Sequence, residues 1–117
     1  MLESAHAIKH GSLIDLSEQF LVDCSSSNYG CNGGSMQLAL NYIQNNKTVY
    51  ENHHPYKAID QQCPNLSASY NITGWNNLSR MNLLDFLKAL KERPITIAYH
   101  ASNFSYSYAG GIIQESN

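Results

Sequence analysis

One hundred and seventeen residues, 43% apolar and 14% charged, make one domain's worth of chain, with enough apolar surface for a core and too few charges for a solvated tail. Seven Lys and Arg against nine Asp and Glu leave a net charge of -2, without the basic face that phosphate neutralisation requires, so no nucleic-acid partner is expected. No apolar run reaches the ~18 residues of a membrane span, and the first residues carry neither the basic nor the apolar region of a signal peptide, so neither a membrane partner nor a leader in this chain is expected.

Residues 2–10 predict the last turns of an amphipathic helix that begins before Met1 and is stopped by Gly11, where a positive φ is needed. Asp15 or Ser17 can cap a second helix that carries Phe20, Leu21 and Val22 inward; the polar run Ser25-Ser26-Ser27-Asn28-Tyr29-Gly30 ends it. Gly33-Gly34 opens a third helix, with Met36, Leu40 and Ile43 on one apolar face and Asn45-Asn46 at its close. Residues 47–78 read as irregular, a length that calls for a staple or a function. Asn82 caps a fourth helix with Leu83, Phe86, Leu87 and Leu90 as its buried stripe, ended by Pro94. Ile95-Thr96-Ile97-Ala98-Tyr99 predicts a strand, and residues 106–113 a turn feeding another. The class is α+β, and two strands alone do not make a stable sheet.

Cys24, Cys31 and Cys63 are an odd count: one disulfide with a thiol left over, or three reduced thiols packed as small apolar groups. Five Asn-x-Ser/Thr sequons begin at Asn46, Asn65, Asn71, Asn77 and Asn103. Random placement of these residues would give about two. The excess reads equally as a glycosylated chain of the secretory route or as compositional bias toward Asn and Ser.

Read together, Ser17-Glu18-Gln19, Asp23-Cys24 and Gly30-Cys31-Asn32-Gly33-Gly34 resemble the papain-type cysteine proteases, whose pattern runs S-E-Q-x-L-(L/V)-D-C and then G-C-N-G-G. His54-Pro55-Tyr56, Ile72-Thr73-Gly74-Trp75, Arg93-Pro94-Ile95-Thr96-Ile97-Ala98 and Tyr108-Ala109-Gly110-Gly111-Ile112 continue the likeness in order, nearest to the cathepsin L-like branch. The resemblance implies a truncated papain-like fold: a mostly helical left subdomain at residues 1–76, and the first strands of a β-barrel-like right subdomain at 77–117. It implies a Cys24–Cys63 disulfide, with Cys31 unpaired here because its partner lies upstream. Closing a loop of that size contributes ~3–4 kcal/mol by the chain-entropy model.

The family's nucleophile motif, C-G-(S/A)-C-(W/Y), falls about eight residues before Met1 by this likeness, and its His and Asn fall beyond Asn117. The chain is therefore expected to be an internal fragment of a thiolate-dependent endopeptidase, with no catalytic residue of its own and inactive alone. The alternative is a non-catalytic homologue that binds a peptide or a partner protein. What remains by resemblance is substrate cleft: Gly33 and Gly34 offering backbone groups to an extended peptide, Met36 and Ala98 lining the pocket for an apolar side chain, and Tyr29 flanking the next subsite. His6, His10, His53, His54 and His100 read as ordinary histidines. No cofactor is implied, and a zinc site from the three Cys with His53 or His54 lacks a C-x₂₋₄-C pair. The partner is a peptide or protein substrate of the parent enzyme, and the location lysosomal or secreted. An isolated chain should be of poor stability, since residues 2–8 and 95–99 lose apolar cover.

Overall fold

A helix forms where end charges suit the macrodipole and a residue at its end tolerates left-handed backbone. Helix α1 (Leu2–His10) has Glu3 in its first turn and Lys9 and His10 in its last, and stops at Gly11, φ 74°, whose N–H returns to the Ala7 carbonyl at 2.8 Å. The computed structural model describes residues 1–78, 82–101 and 106–112. Of the two candidate caps for α2 (Glu18–Cys24), Ser17 is the one used: its Oγ accepts from the Phe20 N–H at 3.0 Å. A 3₁₀ turn, Gly30–Asn32, then leads to α3 (Met36–Asn46), and a second one, Glu51–His53, breaks the long irregular stretch. Helix α4 (Leu83–Glu92) is capped by Asn82, whose Oδ1 accepts from the Asp85 N–H at 3.1 Å, and Arg93 turns extended ahead of Pro94.

The core sits between α2, α3 and residues 48–50. Phe20, Cys24 and Val49 form its centre, with Tyr42 and Ala68 packed against it, and Leu16 and Ile43 are also buried. Burial lifts the phenol pKa of Tyr42 above its ordinary value. On α2 the inward residues are Gln19, Phe20 and Cys24, while Leu21 and Val22 are only half-buried, a departure from the expected apolar trio. Gln19 is entirely buried because its amide is fully used in hydrogen bonds, as described below. On α3 Ile43 is buried and Leu40 half-buried, but Met36 at the first turn is exposed.

Two expectations are corrected. Residues 95–99 form no strand: Ile97 and Tyr99 are exposed and the backbone is irregular, as it is at 106–112 apart from a short turn. A ladder needs a partner edge, and β-branched composition does not supply one. Among the described residues, antiparallel pairing is confined to two isolated bridges, Leu16 with Tyr50 and Thr48 with Tyr70. The β half of the α+β architecture is therefore not formed there; Ile113, the end of the second expected strand, lies outside the described residues. The Leu83, Leu87 and Leu90 stripe of α4 is also not buried, with Leu83 69% and Leu90 51% exposed, and only Phe86 is half-covered. The helix has its amphipathic face, and among the described residues no element covers it.

Candidate functional site

Four residues of one stretch, Ser17, Gln19, Asp23 and Cys24, each grip the segment 54–63. Ser17 Oγ donates to the His54 carbonyl at 2.6 Å while capping α2. Gln19 lies four residues before Asp23, on the same face of the helix. Its Nε2 donates to Asp23 Oδ1 at 2.9 Å and to the Ile59 carbonyl at 2.6 Å, and its Oε1 accepts from the Lys57 N–H at 2.9 Å. Asp23 Oδ2 meets His54 Nε2 at 2.7 Å, and Asp23 Oδ1 accepts from the Gln61 N–H at 2.9 Å. Cys24 completes the set with a disulfide to Cys63, Cα to Cα 4.8 Å, 39 residues along the chain. The staple expected for the irregular stretch is thus present, and it is both covalent and polar.

The Asp23 carboxylate has no solvent-exposed side-chain surface. Burial alone would raise its pKa. Hydrogen bonds from the His54 ring, the Gln61 amide and Gln19, with the charge of His54, outweigh burial and hold it below the ordinary 3.8. Read from the sequence, His54 is an ordinary exposed or hydrogen-bonded histidine, with nothing that links it to Asp23. The two are 31 residues apart, a distance at which local periodicity carries no signal.

The Gly-rich turn is held from two sides. Cys31 N–H donates to Asp60 Oδ1 at 2.8 Å, and the Ser35 N–H donates to Asn28 Oδ1 at 2.8 Å. Gly30, φ 54°, lies so close to Asp60 that a Cβ there would collide with the carboxylate. Gly33 spends its backbone inside the turn: its N–H donates to the Gly30 carbonyl at 3.2 Å and its carbonyl accepts from the Tyr29 N–H at 3.0 Å. Gly34 is exposed, and its N–H and carbonyl make no hydrogen bond among the described residues.

Tyr29, Gly33 and Gly34 therefore share one exposed turn, with Met36 starting the helix behind it. Met36 also lines an apolar cavity of about 210 Å³ with Leu16, Leu21, Ala39, Leu40 and Thr96. Thr96 brings the segment after α4 to this cavity; Ala98, two residues on, is exposed.

Cys31 is a free, exposed thiol. Partial loss of hydration, then the charge and hydrogen bond of Asp60, raise its pKa above the ordinary 9.0. A nucleophilic thiol needs the opposite shift. The Cys24–Cys63 bond removes two of the four ligands of the candidate zinc site. Among the described residues no group of three or more His, Cys, Asp or Glu converges as a metal site, and no helix is long and apolar enough to cross a membrane.

The model of the papain family cysteine proteases matches residues 1–117. The chain is 37% identical over 111 residues to thiol protease SEN102 of Hemerocallis, covering 92% of this chain and 31% of that protein. It is 39% identical over 120 residues to human cathepsin O, covering 97% and 37%, and 39% identical over 121 residues to a cathepsin L-like peptidase of Aedes aegypti, covering 97% and 36%. The crystal structure of the proform of the Amb a 11 cysteine protease, a ragweed pollen allergen, superposes with a TM-score of 0.53 at 38% identity, covering 55% of this chain and 20% of that one. The chain spans about a third of the length of the curated relatives it matches.

Proposed function

This chain belongs to the papain family of cysteine proteases, and on that premise we propose that it supplies one wall of the substrate cleft of a thiol-dependent endopeptidase while holding none of the residues that cut. The observation that carries this is the Gly34 backbone: exposed, unbonded among the described residues, and fixed in place by Asn28 and Asp60 on either side. An extended peptide can hydrogen-bond there as a short added strand. Gly33 positions Gly34 rather than binding directly, because its own N–H and carbonyl already close the turn. Tyr29 flanks the strand, and Met36 and Ala98 face the apolar side chain that follows. In the parent enzyme residues 1–76 belong to the helical subdomain and 77–117 begin the second subdomain, whose strands are not formed among the described residues of this chain.

Neither kind of thiol in the chain suits nucleophilic attack. Cys24 and Cys63 are joined to one another, and the pKa of Cys31 is raised by Asp60. The disulfide supports routing through an oxidising compartment, toward a lysosomal or secreted location.

The test uses a fluorogenic peptide ending in Phe-Arg or Leu-Arg. Residues 1–117 alone turn it over at no measurable rate. The longer protein turns it over, loses activity to a thiol alkylator, and shows a raised KM with little change in kcat when Gly34→Val blocks the backbone. Hydrolysis by residues 1–117 alone, abolished by alkylating one of its three thiols, defeats the reading.

A further inference from the structure

The five sequons are not equivalent in the fold. N-glycosylation needs an asparagine amide that is open to the transferase and a Ser or Thr hydroxyl, two residues on, that is open with it; a bulky polar glycan then has to project into water. At Asn46 only one of these conditions is met: the asparagine is exposed, but its Thr48 is buried. Its Nδ2 donates to the Tyr42 carbonyl at 3.2 Å, and the Thr48 hydroxyl is buried beside Val49 without a hydrogen-bond partner among the described residues. Opening this sequon means pulling Thr48 out of the core and breaking its backbone bridge to Tyr70.

Asn65 and Asn71 meet every condition. Asn65 stands at the apex of a turn closed by the Leu66 N–H to the Pro64 carbonyl at 2.9 Å, and Ser67 is exposed. Asn71 leaves the Thr48–Tyr70 bridge into irregular chain, and Thr73 is exposed. Neither asparagine side chain is hydrogen-bonded among the described residues. Of the other two, Asn77 accepts from Gln37 Nε2 at 2.9 Å and its Ser79 lies outside the described residues, as does Asn103.

We propose that Asn65 and Asn71 are N-glycosylated and that Asn46 is not, an assignment resting on the routing through an oxidising secretory compartment proposed above. The donor is an oligosaccharide carried on a lipid diphosphate. Asparagine Nδ2 bonds to the anomeric carbon of the first N-acetylglucosamine, the bond from that carbon to the diphosphate oxygen breaks, and the lipid diphosphate leaves with the electron pair. One amide proton passes to solvent. The two sugars stand on the segment that follows Cys63, beyond the loop that the disulfide closes, and flank exposed Leu66 along the chain.

The protein isolated from the cells that make it is digested without reduction, to locate the Cys24–Cys63 link, and then treated with peptide-N-glycosidase in heavy-oxygen water for mass spectrometry. Heavy-oxygen aspartate at 65 and 71, with unlabelled asparagine at 46, is the expected result. In the same host, Asn65→Gln and Asn71→Gln each remove one glycan step from the gel mobility, and Asn46→Gln removes none. Unlabelled asparagine at 65 or 71, or label at 46, overturns the assignment. If 65 and 71 are unlabelled and the Cys24–Cys63 link is intact, this assignment alone falls. If they are unlabelled and the cysteines are reduced, the routing falls with it.

Discussion

His54 Nε2 lies 2.7 Å from Asp23 Oδ2, and the Asp23 side chain has no exposed surface. One carboxylate on α2 thereby collects the imidazole, the Gln61 backbone and the Gln19 amide, and ties residues 54–61 to the helix. Asp23→Ala leaves three buried or half-buried donors without their acceptor. The expected cost is about 2–3 kcal/mol, read as a fall in the urea midpoint with an unchanged slope. A variant as stable as the wild type removes Asp23 from its place at the centre of this network.

The same carboxylate sets an acid limit. Its pKa is depressed in the folded state, so the unfolded chain binds more protons as the pH falls toward 3.8. The contribution of Asp23 is complete above that value, shrinks as the pH drops through it, and is gone below the folded-state pKa. A series of urea midpoints against pH should fall more steeply below pH 3.8 in the wild type than in Asp23→Asn, which has no such proton to gain.

Cys31 should react slowly. Partial loss of hydration and the Asp60 carboxylate beside it disfavour the thiolate, so alkylation by iodoacetamide at neutral pH runs slower than in a short peptide of the same sequence. Asp60→Asn removes the repelling charge and keeps an oxygen that can accept from the Cys31 N–H. It should accelerate alkylation several-fold, as followed by intact mass, and an unchanged rate removes Asp60 as a cause.

Gly30→Ala places a side chain at φ 54° and against Asp60. The left-handed backbone alone costs about 1–2 kcal/mol, and displacing the carboxylate releases the Cys31 N–H as well. Asp60→Gly in the same chain relieves the collision but not the backbone strain. The double variant is therefore expected to be more stable than the sum of the two single changes predicts, and strict additivity in a double-mutant cycle argues that the two positions do not touch.

Replacing both Cys24 and Cys63 by Ser should cost ~3–4 kcal/mol by the chain-entropy model, and should raise amide hydrogen exchange at residues 54–63 before it does so in α2. Uniform loss of protection would show that the loop has no stability of its own to lose.

Much of this was legible in the sequence because it is local. Gly11, Ser17, Asn82 and Pro94 mark helix ends with chemistry that works over three or four residues, and the helices stand where those residues put them. The Cys24–Cys63 pairing was legible only through likeness to a family; three cysteines by themselves allow several answers. Total burial of Gln19 and the meeting of Asp23 with His54 were not legible, because their partners lie 31 to 40 residues away and polar residues on a helix otherwise read as solvent-facing. The strand expected at 95–99 is not formed for a related reason: β-branched composition states a preference, but pairing depends on an edge that composition does not provide.

The uncovered face of α4 has a practical consequence. Leu83, Leu84, Leu87 and Leu90 present a greasy ridge to water along about ten residues of helix. Preparations of residues 1–117 by themselves should scatter more light as they are concentrated and brighten solvatochromic dyes. Charged replacements along the ridge should return them to clear, freely filterable solution.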